Sequence, residues 1–546
     1  DPDEVMPPPE AKKPALTDAD KHLIRQWIED GAKFEDFWAF VPPSEPAKPE
    51  VKNTDWSDQA IDGFVLRKLE AEGLTPNPRA DRRTLVRRVT LDLTGLPPTR
   101  SEVQEFLADT DEGAFERLVD RLLSKHQYGE HVTKYWLDLV RFADTNGIHH
   151  DHLRDLTPYR DWVIRAFNNN LPYADFLKYQ LAGDLYQEPS RDQLIASGFN
   201  RLHLIIDVGT ALPEESYTKN VIDRVTAVGT AFMGLTVQCA VCHDHKYDPI
   251  TAKDFYSLFA FFNNLDAQPE TGGRSGSEFK RGLQSPYINL STPEQDAELT
   301  QIVAKFDELK KTQGDAAKEE LKKWRKKRED LEMAIPGAMI MKERQDVRPA
   351  HILIRGAYDK PGERVERNTP GFLAPMKKQG AGMATRMDLA NWFVASENPL
   401  TARVAVNRFW QQFFGVGLVK TAEDFGAQGE WPSHPDLLDH LAVSFMESGW
   451  DIKALVKQIV LSETYQQASE ASPEQFKIDP ENRMLARGSR FRMDSEMIRD
   501  QVLSTSGLLN DQMFGKSVKP PQPAGLWKSV GMPSSYPKEY HPDTGD

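Results

Sequence analysis

Apolar positions recur at three- and four-residue steps along most of the chain, which is the spacing of one helix face. Phe115, Leu118, Val119, Leu122 and Leu123 form the clearest stripe, and Val406, Phe409, Trp410, Phe413 and Gly417 form another. Near the start, Leu23, Ile24, Trp27 and Ile28 share a face, with Thr17 as cap, Asp20 in the first turn and Gly31 as stop. Thr99 and Glu102 make a capping-box signature ahead of Val103, Phe106 and Leu107. Tyr135 to Phe142 is apolar nearly all round and predicts a buried helix. The run Asn168-Asn169-Asn170 ends the next one.

Breaks in this pattern divide the chain. Residues 1–35, with Met6-Pro7-Pro8-Pro9 before a single helix, read as the tail of a module. Residues 36–56 hold Pro42, Pro43, Pro46 and Pro49 and read as an extended linker. Residues 57–265 predict a multi-helical domain. Residues 266–336 begin as a Gly-, Ser- and Pro-rich loop that reads as mobile. They continue as a charged helical hairpin over 293–332, hinged at Gly314. Residues 337–546 predict a small β element followed by helices. There, His351 to Gly356 reads as a strand and Pro361-Gly362 as a turn. The fold class is therefore mainly α, with one small β element.

Composition narrows the function. The 546 residues carry 68 Lys and Arg against 83 Asp and Glu, a net charge of −15. That balance argues against nucleic acid as the partner. No run of about 18 apolar residues occurs, so no membrane span is predicted. The chain opens on Asp1-Pro2-Asp3 without an initiator Met or a signal peptide, which reads as a trimmed product.

The strongest chemical signal uses both cysteines of the chain: Cys239-Ala240-Val241-Cys242-His243. Cys-x-x-Cys-His is the attachment sequence of haem c. Two thiols three positions apart reach the two haem vinyl groups, and the following imidazole sits beneath the iron. Two other readings stay open: a redox disulfide, or part of a zinc site with His243 and His245. For a distal ligand, His149, His150, His152, His203 and Met233 are all available.

A second cluster, His149-His150-Asp151-His152, has the composition of a transition-metal site. The plainer alternative is a polar loop. A third stretch, Arg201 to Arg224, is dense in acids and bases, and Leu204-Ile205-Ile206 within it suggests a short buried strand or helix entry. His203, Asp207 and Glu215 are its candidate catalytic groups, with His203 or Asp207 as proton acceptor in an alcohol oxidation. Asp244, Asp248 and His245 either orient His243 or offer oxygen ligands to Ca²⁺. No dinucleotide fingerprint, P-loop or Gly-x-Ser-x-Gly elbow is present.

Several long strings resemble a known family. They include Asp81-Arg82-Arg83-Thr84-Leu85 through Leu96-Pro97-Pro98, Tyr159-Arg160-Asp161-Trp162, Gln180-Leu181-Ala182-Gly183-Asp184, and Cys239 through Thr251. In the C-terminal part, Asn398-Pro399-Leu400-Thr401-Ala402-Arg403 and Glu423-Asp424-Phe425-Gly426 carry the likeness. The chain resembles the planctomycete and verrucomicrobial cytochrome-associated proteins. These join a cytochrome-c-like module, a planctomycete-specific cytochrome domain and a second planctomycete-specific domain. The resemblance implies that residues 1–35 are the end of the first module, with Met6 as ligand of a separate haem, and that the family pattern continues past Asp546. It also implies an exported protein, periplasmic or at the cell surface, encoded among polysaccharide-degrading enzymes.

These readings lead to an expected haem-c oxidoreductase. It oxidises a carbohydrate-derived substrate and passes electrons to a partner cytochrome. One haem takes one electron while an alcohol releases two, which draws attention to a metal at His149, His150 and His152 as a second acceptor. A non-catalytic carbohydrate-binding or electron-wiring scaffold, and a metal-dependent hydrolase with a structural Cys-x-x-Cys, are the alternatives.

Overall fold

Side chains that cap helix ends set the boundaries of most elements. Thr17, Thr99, Ser190, Thr251, Thr292, Thr385 and Ser472 each accept from the backbone three residues on, and the acidic or amide residue there reaches back. The computed structural model describes residues 14, 16–32, 36–272, 275–311, 315–526 and 542–543. Met6, Gly314 and the two chain ends, Asp1-Pro2-Asp3 and Asp546, lie outside them.

Residues 1–41 and 42–546 are two units. The first contains helix α1 (Asp18–Glu29), capped by Thr17 and Asp20 as expected, with Leu23, Trp27 and Ile28 exposed. The second begins with α2 (Ala60–Ala71), α3 (Arg82–Thr94), α4 (Arg100–Ala108), α5 (Ala114–Ser124) and α6 (His126–Leu139). It continues with α7 (Thr157–Asn168), α8 (Tyr173–Ala182), α9 (Arg191–Ala196), α10 (Pro213–Val228), α11 (Ala252–Phe262) and α12 (Ser277–Arg281). Strand β1 (Tyr287–Asn289) leads into α13 (Pro293–Lys310) and α14 (Asp315–Ala334). Strands β2 (Gly337–Met339), β3 (Ala350–Leu353) and β4 (Pro361–Val365) follow. The chain then turns helical again through α15 (Arg386–Phe393), α16 (Thr401–Phe414), α17 (Pro435–Glu447), α18 (Ile452–Leu461), α19 (Glu463–Gln466), α20 (Pro473–Ile478) and α21 (Ser495–Ser506). The protein is mainly helical, as the periodicity predicts.

The charged arm is α13 packed on α14, inserted at the tip of the antiparallel pair β1–β2, where Asn289 faces Gly337. A second antiparallel pair joins β3 to β4. Four local expectations change. The 266–290 stretch is not all loop, since it holds α12 and β1. Pro361 and Gly362 begin β4 rather than forming the turn, because the reversal is made earlier, at Ile354 to Lys360. Leu204-Ile205-Ile206 is neither strand nor helix: Ile205 is buried but Leu204 is exposed, so the stretch crosses the surface. Tyr135 to Phe142 is buried along one side only, with Trp136 and Val140 inside and Asp138 outside.

The core is aromatic. Trp162 stacks on Phe176 at 5.3 Å, and Trp136 meets Phe176 edge-on at 4.9 Å. Each such ring removes enough apolar surface from water to contribute roughly 1.5–3 kcal/mol.

Helices from the two ends of the chain pack against each other. Asp62 in α2 accepts from the backbone of Glu463 and Thr464 and so caps α19. Tyr465 donates to Asp92 at 2.7 Å. Arg386, fully buried, forks onto Asp184 at 2.9 and 2.7 Å. Phe425 N–H donates to the Gly234 carbonyl, and Gly234 lies at φ 57° against the Phe425 ring and Val404. A Cβ on Gly426 would fall within 2.4–2.6 Å of the Asp248 carboxylate, which accepts from Ala427 N–H at 2.7 Å.

Candidate functional site

A tight loop between α6 and α7 carries the histidines. Its base is closed by Asn146 N–H to the His152 carbonyl and Arg154 N–H to the Asp144 carbonyl. Within it Gly147, His149 and Asp151 all have left-handed backbones, at φ 76°, 61° and 50°. A Cβ on Gly147 would strike Leu204 at 2.4 Å, so glycine is required there on two counts. His149 and Asp151 have no such freedom and hold a conformation that costs about 1 kcal/mol or more each. Asp151 steadies the turn by accepting from Gly147 N–H at 2.7 Å.

That conformation turns the imidazoles onto one carboxylate. Asp207, 1% exposed, has His149 Nδ1 at 2.9 Å and His150 Nδ1 at 2.5 Å from its Oδ2. On its Oδ1 side it has His152 Nε2 at 3.4 Å and Thr271 Oγ1, which donates, at 3.2 Å. Among the described residues, His149, His150 and Asp207 form the one group of three whose ligand atoms lie within 4.8 Å of one another. Ligand atoms held at about 2.1 Å from one ion at right angles are about 3.0 Å apart, close to the 2.9 Å between His149 Nδ1 and Asp207 Oδ2.

A cavity of about 590 Å³ opens beside the cluster. His152 and Thr271 line it, so the Asp207 carboxylate lies one side chain behind its wall. Asn146, Gln268, Gln284 and Glu214 give the wall its polar character. Arg348 pairs with Glu214 and lies over the Tyr217 ring.

The other predicted acid–base residues are placed differently. His203 is buried outside the cavity wall, where Arg224 donates to its Nε2 at 3.3 Å. Its Nδ1 has no partner among the described residues. Burial and the nearby Arg224, Arg154 and Arg201 hold its pKa far below the usual imidazole range, so it stays neutral and is a weak base. Glu215 turns to Lys219 at 2.5 Å on the surface of α10, while its neighbour Glu214 is the one on the cavity wall. Thr271 contacts Asp207 from 64 residues away, and nothing in local sequence points to it.

The Cys-x-x-Cys-His segment occupies a short helical turn, Val237–Val241, on the surface. Cys239 and Cys242 are exposed, free thiols. His243 is exposed and donates from Nδ1 to the Asp244 carbonyl at 2.8 Å. Tyr256 donates to the Val241 carbonyl at 2.9 Å and pins the turn to α11. Gly356, at φ 72°, brings the β3–β4 hairpin against Cys242 Sγ. Two accessible thiols and an imidazole whose Nδ1 is occupied, leaving Nε2 for iron, fit covalent haem. The distal candidates lie away from this surface: Met233 and His203 are buried, and the three loop histidines face Asp207. No third ligand joins the cysteines within zinc-like spacing among the described residues. His245 is engaged locally: Asp248 N–H donates to its Nδ1 at 2.9 Å, and its Nε2 lies 3.3 Å from Thr236.

No curated protein and no solved structure matches this chain. Two family profiles do. PSCyt2, a protein of unknown function (DUF1549), matches residues 60–267, and PSD1, a protein of unknown function (DUF1553), matches residues 385–544. The first span includes the histidine loop, Asp207 and the Cys-x-x-Cys-His turn, and the second supplies Gly426 and Ala427, which contact Asp248 just beyond that turn. The chain thus belongs to the planctomycete-specific, cytochrome-associated family in which a PSCyt2 segment precedes a PSD1 segment.

Proposed function

We propose that this chain is an exported, metal-dependent oxidoreductase acting on a hydroxyl group of a carbohydrate-type substrate. His149, His150 and Asp207 hold a divalent transition-metal ion. Cys239, Cys242 and His243 hold one haem c that passes electrons to a partner cytochrome. The observation that carries the reading is the convergence of His149 and His150 on a buried carboxylate beside a polar cavity. The amide, hydroxyl and carboxylate groups of that cavity suit a polyhydroxylated ligand.

Bound there, the ion supplies Lewis-acid polarisation of a substrate hydroxyl. The protein's own groups do the rest. Asp207 and the strained loop fix the direction of the imidazoles. Glu214, held by Arg348 on the cavity wall, receives the hydroxyl proton. Oxidation to the carbonyl breaks the O–H and C–H bonds and releases two electrons and two protons. Glu214 takes the hydroxyl proton and solvent in the cavity the other, while one electron would pass to the haem and the second to a redox-active ion held by His149, His150 and Asp207, both leaving singly to the partner cytochrome.

The test joins metal analysis with visible spectra of the full chain, oxidised, reduced, and denatured in alkaline pyridine. One ion per chain, a haem band that stays with the polypeptide, and its reduction by an added sugar support the reading. An ion without haem transfers the assignment to metal-dependent hydrolysis, since the histidine cluster is complete without the cysteines. Neither ion nor haem overturns both.

A further inference from the structure

A second cavity, of about 820 Å³, is larger than the one beside Asp207. It opens where α6, the end of α10 and α16 meet, so its walls come from both family segments. Tyr135 and Phe491 present aromatic rings on these walls, Phe491 being 47% exposed. Gln411 and Gln412 supply amides between them.

Two guanidinium groups at this cavity are held at a cost. Arg408 donates from Nη2 to the Thr230 carbonyl at 2.9 Å, but its Nε is enclosed and has no partner among the described residues. Burial lowers its pKa, and Tyr173 and Glu423 oppose that only in part. A buried donor left unmade costs about 1–3 kcal/mol, more when the group is charged. Arg141 stands in the left-handed position that ends α6, at φ 60°. There Phe142 N–H returns to the Leu137 carbonyl and Arg141 N–H to the Asp138 carbonyl. Glycine is the usual residue at such a helix end, and arginine there is strained by about 1 kcal/mol. The strain brings its side chain to the cavity wall and to Asp223 at 2.9 Å. Three carboxylates line the wall, Asp138 and Glu423, both exposed, and Asp494, which pairs with Lys134; the four cations Arg141, Arg408, Lys420 and Arg492 outnumber them, so the interior favours an anion.

We propose that this cavity is a second ligand site, for an acidic sugar unit whose carboxylate pairs with Arg408 and Arg141 and whose ring lies against Tyr135 and Phe491. A sugar ring has an apolar C–H face and a hydroxyl rim, which suits aromatic walls with glutamine amides between them. Arg408 Nε is sealed, but its Nη1 is not and makes no hydrogen bond to the described residues, and a guanidinium with such a donor selects the charged member of a sugar series. The site is separate from the metal cluster and needs no metal.

Calorimetric titration of the full chain with tetragalacturonate, and with maltotetraose as the neutral control, tests this. Saturable binding of tetragalacturonate, at least tenfold tighter than maltotetraose, is expected. Arg408→Gln weakens it at least tenfold, and Phe491→Ala, at the exposed rim, weakens it severalfold. Arg141→Gly also weakens it while leaving the chain folded, because glycine relieves the helix end. Asp207→Asn, at the other cavity, leaves it unchanged. Equal affinity for the two sugars, no binding of the acidic one, or loss of binding in Asp207→Asn with none in Phe491→Ala and Arg141→Gly overturns the proposal.

Discussion

Asp207 is the residue on which the histidine loop depends. Asp207→Asn keeps the size of the side chain but presents an amide nitrogen where two imidazoles and an ion need a carboxylate. Metal retained after dialysis should fall by about tenfold or more. His150→Ala should do the same, while His152→Ala, at 3.4 Å from the other oxygen, should lose less. Elemental analysis of the dialysed proteins decides it, and full metal content in Asp207→Asn rejects the site. Two other histidines control acid stability. Burial pushes His131 and His434 down to about 3, so both are neutral in the folded protein. Below the unfolded value near 6.5 the unfolded chain takes up protons that the folded chain refuses. Stability is therefore complete above that pH and is lost as pH falls, by roughly 2 kcal/mol per histidine at pH 5. Asp92, raised by burial to about 7, acts in the opposite direction. Comparison with His434→Gln isolates one contribution: urea unfolding at pH 7.5 and 5 should show a smaller loss in the variant. An equal loss would mean that His434 is protonated in the folded state.

Elements that the sequence made legible are those whose signal is local. The Phe115–Leu123 stripe, the capping boxes at Thr17 and Thr99 and the charged hairpin all rest on residues within one or two turns of each other. The histidines stand out for the same reason, being four positions wide. What gathers them is not local: Asp207 lies 57 residues beyond His150, and Thr271 another 64 beyond Asp207. The surface path of Leu204 and the strand begun by Pro361 also depend on tertiary packing that no periodicity records. Such long-range contacts give testable elements. Gly426 is in contact with the Asp248 carboxylate, which Ala427 N–H holds in place, so an added methyl would strike it. Gly426→Ala should destabilise the protein by about 1–3 kcal/mol. It should also increase amide exchange across the Cys239–Asp248 segment, measured by hydrogen–deuterium exchange. Protection unchanged at that segment would show that the contact is not what holds it. The arm formed by α13 and α14 is inserted in a two-stranded pair whose ends, Asn289 and Gly337, already face each other. Trimming its distal turns should leave metal content unchanged, because neither the cluster nor its cavity draws a residue from it.

At the scale of the molecule, residues 42–546 behave as one unit even though two family profiles divide them. The reason lies in what crosses the seam. Arg386 is fully exposed to neither solvent nor chance pairing: it is buried on Asp184 and Glu343, at 2.7 and 3.1 Å. Removing one partner of such a pair strands the other charge, a loss of about 3–5 kcal/mol. Asp62 caps α19, Tyr465 reaches Asp92, and Phe425 hydrogen-bonds Gly234. Each half alone would expose these groups and the aromatic rings around Trp162 and Phe409 to water. The exposed loop at Gln379-Gly380, just before α15, is a place to cut without touching any of them. Made separately, residues 42–379 and 380–546 should not unfold cooperatively. Made together, they should associate and recover one transition. Arg386→Ala in the uncut chain should lower the midpoint of that transition without splitting it in two, since the charge it strands weakens both halves at once. Calorimetry on the three preparations distinguishes the cases. Cooperative unfolding of either half by itself would show that the seam joins two domains that fold independently.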